Sequence, residues 1–143
     1  MLGVSLAGCG DEEEGGFSPV VAEPMTKVEF LREADRICVG SEAQIEAAAD
    51  DLLTGRGRPD PDEVERVALG VVVPALEAEV AAISALTPPP GDEARVRAIL
   101  DATERGIAAV EADPRDVSGR VPAPLRQAQQ LAEAYGSREC GLR

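Results

Sequence analysis

From Thr26 onward, apolar and small residues recur at steps of three and four, the period of a helix with one buried face. The first such stripe is Phe30, Ala34, Ile37, Cys38, Ser41, Ile45, Ala48 and Leu52. Thr26 followed by Glu29 is a capping-box pattern, in which a hydroxyl and a carboxylate each satisfy an amide at the helix start. Gly55 and Gly57 end this helix. A second helix opens with Asp60 as N-cap, Pro61 in the first turn, and Asp62 and Glu63 against the positive helix end. Its stripe is Val64, Val67, Ala68, Val71, Leu76, Val80, Ile83 and Leu86. Pro74 lacks an amide hydrogen and crowds the carbonyl four residues earlier, which predicts a kink there. The run Val71, Val72, Val73, Pro74 is alternatively a break between two shorter helices.

Thr87, Pro88, Pro89, Pro90 and Gly91 stop the second helix. A third follows from about Asp92 to Ala112, with Val96, Ile99, Leu100, Thr103, Ile107 and Val110 inward. Residues 113–124, holding Pro114, Gly119 and Pro122, read as a loop. A fourth helix from about Pro124 to Tyr135 turns Leu125, Ala128, Leu131, Ala132 and Tyr135 to one face, with Gly136 as C-cap. Strand patterns are absent. Four amphipathic helices with short connections predict an all-α fold, an up-down-up-down four-helix bundle over residues 26–143. A chain of 143 residues has the length of one ordinary domain.

Charge narrows the range of partners. The chain carries 27 acidic and 14 basic residues. Asp11, Glu12, Glu13, Glu14 and Glu23 lie ahead of the helices; without them 22 acids and 14 bases remain, a net of −8. Such a surface repels phosphate backbones and anionic headgroups, so nucleic acid is excluded as a partner. No uninterrupted apolar run reaches the ~20 residues that cross a bilayer, so any membrane attachment is expected to be by lipid.

Leu6, Ala7, Gly8 and Cys9, followed by Gly10 and the acidic run from Asp11 to Glu14, resemble a bacterial lipobox. The resemblance implies that a diacylglyceryl group is attached to the Cys9 thiol and that the mature chain starts there. It also implies a location on the outer face of the cytoplasmic membrane, in the cell envelope. Residues 1–8 then read as a signal-peptide remnant. They lack the basic start and the roughly 7 to 15 apolar residues of a full signal, which a longer apolar region upstream would supply. Residues 9–25, rich in Gly, Glu and Pro, read as an acidic flexible tether.

With Cys9 lipidated, Cys38 and Cys140 are left as an even pair, which in an exported protein reads as a disulfide. The alternative is two free thiols, one in helix packing and one at the C-terminus. At ~1.5 Å per residue the first helix spans about 40 Å and the fourth about 20 Å. In the simplest topology the fourth therefore runs out beside the middle of the first, near Cys38. The chain also resembles a loose group of small helical lipoproteins of GC-rich, actinobacteria-like organisms, a group with no assigned activity. The likeness lies in the lipobox, in Phe30, Leu31, Ala34, Asp35, Ile37 and Cys38, in Leu86, Thr87, Pro88 and Pro89, and in Ala134, Tyr135, Gly136, Cys140 and Gly141. It implies envelope location, a helical fold and a cysteine pair.

Catalytic chemistry is poorly represented. There is no histidine, the commonest general base and metal ligand near neutral pH. No phosphate-cradling glycine loop or nucleophile elbow is present, and no catalytic residue, metal ligand or cofactor is expected. Gly55, Arg56, Gly57 and Arg58 read as a turn with solvated arginines. Glu42 with Glu46, Glu46 with Asp50, and Glu77 beside Glu79 read as solvated helix faces rather than cation sites, since calcium sites also draw on loop carbonyls. Phe17, Phe30 and Tyr135 are the only aromatics, which disfavours sugar stacking. These readings favour a non-catalytic lipid-anchored module for spacing or for binding another envelope protein. The alternative is a lipoprotein that binds a small ligand or cation.

Overall fold

The computed structural model describes residues 23–54, 57–116 and 121–140, and among them every regular element is helical. The lipobox and most of the tether, including Cys9, lie outside the described residues. Helix α1 is Lys27–Leu53. It starts where the sequence places it, since Thr26 Oγ1 accepts from the Glu29 amide and the Glu29 carboxylate accepts from the Thr26 amide. These bonds to Thr26 also hold the Glu29 carboxyl below the usual carboxylate range.

The second helical run has three parts: α2, Pro61–Val67; a π-helical segment, Ala68–Val72; and α3, Val73–Ser84. Asp60 caps α2 by accepting from the Asp62 amide. In the π segment the Val73 amide reaches back five residues to the Ala68 carbonyl. Pro74, which has no amide hydrogen to return to the preceding turn, directly follows this wide turn in a continuous helical run. The wide turn also shifts the stripe. Val73 and Ala75 are buried beside the expected Val64, Ala68, Leu76 and Ile83, because one extra residue rotates the helix face.

Helix α4, Glu93–Ala112, and helix α5, Ala123–Tyr135, complete the fold within a residue or two of expectation. α1 packs on the π segment and α3, α3 packs on α4, and α4 makes its most extensive contact with α5. α1 and α5 have no comparable close backbone approach. The buried residues fall into two clusters. One gathers Phe30, Ala34, Cys38, Ile83, Val96 and Tyr135; the other gathers Ala68, Val73, Leu76, Ile107, Val110 and Leu125.

One expectation needs correction. The run Pro61–Ser84 is long and apolar enough, by length and composition, to cross a membrane. Glu77 and Glu79 interrupt the apolar run in sequence without lowering its average enough to exclude it. Only 28% of its most apolar window is buried, and Leu69, Gly70, Pro74, Ala78 and Ala81 form a largely apolar exposed face that also holds Glu77.

The α4–α5 contact depends on Gly106. A Cβ on this buried glycine would overlap the Leu125 side chain and come within 3.2 Å of the Leu125 backbone nitrogen. Leu125 is itself buried, so it has little room to yield. Gly106→Ala should therefore lower stability by about 1–2 kcal/mol in chemical denaturation, overpacking outweighing the gain in helix propensity. A stabilised variant would show that α5 can retreat from α4 without loss.

Candidate functional site

Two features stand out, a clamp at the end of α5 and a cleft along the open seam between α1 and α5. Gly136 ends α5 with a left-handed backbone, φ 115°, and the Gly136 and Ser137 amides both return to the Ala132 carbonyl. This turn points the chain back at α1. There Asp35 accepts from Ser137 Oγ at 2.6 Å, from the Arg138 amide at 3.2 Å and from the Glu139 amide at 3.3 Å. Ser137 Oγ in turn accepts from the Cys140 amide at 3.0 Å.

Cys38 lies three residues after Asp35, so a clamp at Asp35 delivers Cys140 to it. The sulfurs are 2.12 Å apart and the Cα atoms 5.0 Å apart, which is disulfide distance. The ring of Tyr135 meets Phe30 edge to face at 6.2 Å. Its hydroxyl donates to Asp92 Oδ2 at 3.0 Å, and Asp92 also pairs with Arg95. Burial, with the Asp92 carboxylate beside it, pushes the Tyr135 phenol up to about 12.

The cleft holds a cavity of about 80 Å³, partly open to solvent and bounded by α1, α3, α4 and α5. Most of its wall is apolar, but Glu79 of α3 and Ser41 and Glu42 of α1 also line it. Glu79 is half-buried and Ser41 is buried. Ser41 Oγ lies 2.9 Å from the Cys38 carbonyl and also hydrogen-bonds Glu79 Oε2. A hydroxyl carries one proton and can serve one acceptor. When Ser41 donates to the Cys38 carbonyl, the bond to Glu79 needs a proton on the carboxyl. Burial pushes the Glu79 carboxyl upward in the same direction; the Ser41 hydroxyl opposes this and the Glu42 charge adds to it.

The acidic pairs read from the sequence divide accordingly. Glu77 is exposed as expected, whereas Glu79, two residues on, turns inward. Glu46 and Asp50 stay on the surface. Among the described residues no group of three or more Cys, Asp and Glu side chains could hold a metal ion. Glu79 was legible only as part of a surface pair, because its burial is decided by α1 packing over it. Asp35 carries no local signal of its clamp, since its partners lie more than a hundred residues away. No protein-family model, curated protein or solved structure matches the chain.

Two outcomes follow. Asp35→Ala should cost on the order of 2 kcal/mol in urea denaturation, because it removes an acceptor shared by one hydroxyl and two amides. An unchanged midpoint would mean the turn is held by other contacts. Glu79→Gln acts through pH. A raised carboxyl favours folding while protonated, and that contribution is lost as pH rises through its folded value. The variant should therefore be more stable than the parent at about pH 7 and equal to it at about pH 4 in thermal melts. A difference that is the same at both pH values would place the carboxyl in water.

Proposed function

We propose that the chain is an exported, lipid-anchored module of the cell envelope with no catalytic role. The observation that carries this is the pairing of Cys38 with Cys140 at disulfide distance. It accounts for two of three cysteines and leaves Cys9, in the lipobox-like string, as the one to be acylated. A disulfide belongs to an oxidising compartment, so pair and anchor support the same address. In this reading residues 1–8 are removed, residues 9–25 form the tether, and residues 26–143 are an up-down-up-down bundle kinked at Pro74. The absence of histidine from the sequence agrees with a non-catalytic role. The exposed face of Leu69, Gly70, Pro74, Ala78 and Ala81 is the surface we assign to contact with another envelope protein.

A second reading, binding of a small ligand or cation, is favoured by the cavity and its inward carboxyl. The two are compatible, since a tethered domain can present a ligand site.

Mass spectrometry of the protein from its native membrane fraction tests the first reading. The expected species begins at an acylated Cys9 and gains about two daltons on reduction, as one disulfide takes up two hydrogens. A chain beginning at Met1 with three free thiols would overturn both the anchor and the exported address.

A further inference from the structure

We propose that the cleft between α1 and α5 binds a small primary alkylammonium ion, with its ammonium against the Glu79 carboxylate and its alkyl chain among Ile45, Leu76, Val80 and Leu125. This rests on the ligand-binding reading above and names its ligand class.

Charge decides the sign of the ligand. Among the described residues, Glu79 from α3, Glu42 from α1 and Glu139 beyond α5 line the cavity, and neither lysine nor arginine does. Among the described residues the linings from α4 and α5 carry no charge, since the Tyr135 phenol, pushed up to about 12, stays neutral. Glu79 has the Ser41 hydroxyl as its hydrogen-bond partner and makes no ion pair with a basic side chain of the described residues. A carboxylate in such a place is stabilised by a proton or by a cation that enters.

Chemistry decides the class. A hard metal ion needs six or more oxygen ligands, and no cluster of ligating side chains is formed here. An ammonium brings three donors on one atom. One of them can take the place of the proton between Glu79 and Ser41, leaving the Ser41 hydroxyl donated to the Cys38 carbonyl. Size then limits the chain. The cavity of about 80 Å³ is roughly half the ~150 Å³ that accommodates benzene in an engineered apolar cavity, so an alkyl group of about three or four carbons fits.

Binding exchanges a proton for the ammonium, so affinity should rise with pH through the range in which Glu79 ionises and fall again where the amine loses its own charge. Glu42 shifts that range in the same direction as burial does, because it adds negative charge beside the site.

The test is a nuclear magnetic resonance titration of the full, oxidised chain with three probes of matched size: n-butylammonium, n-butanol and butyrate. The expected result is saturable shifts centred on Ser41, Leu76 and Glu79 with n-butylammonium, roughly 10-fold weaker binding of n-butanol, and none of butyrate. Glu79→Gln should erase the preference for the amine while the alcohol still binds, which separates loss of the site from loss of the fold. Equal binding of amine and alcohol to the parent chain would overturn the cation assignment and leave the ligand-binding reading standing. Binding of none of the three would overturn both.

Discussion

Asp35 and Cys38, one turn apart on α1, hold the end of the chain in place, and the remaining geometry depends on that hold. Asp35 receives the Ser137 hydroxyl and the amides of residues 138 and 139, and Cys140 then meets Cys38. A cross-link spanning 102 positions removes about 4–5 kcal/mol of chain entropy from the unfolded state in the loop-closure account. For this chain that is a large share of the stability of an ordinary domain. Among the described residues much of the buried surface belongs to alanine, valine and glycine, with Phe30 and Tyr135 as the only buried aromatics. Side chains of that size contribute little transfer free energy each.

The same small residues shape the cleft. Gly106 lets α5 come close to α4 around Leu125, whereas α1 and α5 have no comparable close backbone approach. The seam left on the α1 side is closed at one end by the clamp and by Phe30 against Tyr135. Farther along it stays open, and Glu79 stands in its wall. A well-filled interior would hold a leucine or methionine at that position. A glutamate there reduces stability when ionised and gives the cleft a charge preference when a cation arrives. The structure therefore combines a cysteine pair at disulfide distance with a partly open apolar cleft.

On this view the anchor and the cleft are complementary parts of one proposal. The tether sets where the domain works, and the disulfide suits that oxidising location. The apolar outer face of the Pro61–Ser84 run supplies a place for a partner, and the inward carboxyl supplies a place for a small cation. Neither requires a reaction.

Much of the architecture was written locally. Thr26 with Glu29, Asp60 with Pro61, the proline run after Thr87 and Gly136 each act within one turn of chain. Helix boundaries were therefore legible to a residue or two, and cysteine parity pointed to Cys38 and Cys140. What the sequence could not fix were the features that depend on two distant segments meeting. Val73 and Ala75 became buried because a π segment rotated the helix by one residue. Gly106 became the closest approach to α5, although it reads as an ordinary weak point of a helix. Asp35 became a clamp for amides more than a hundred residues on. Glu79, in a pattern identical to that of exposed Glu77, turned inward because α1 lies over it. Periodicity reports which residues share a face; only packing decides how tightly that face is covered, and hence where a charge is shielded from water.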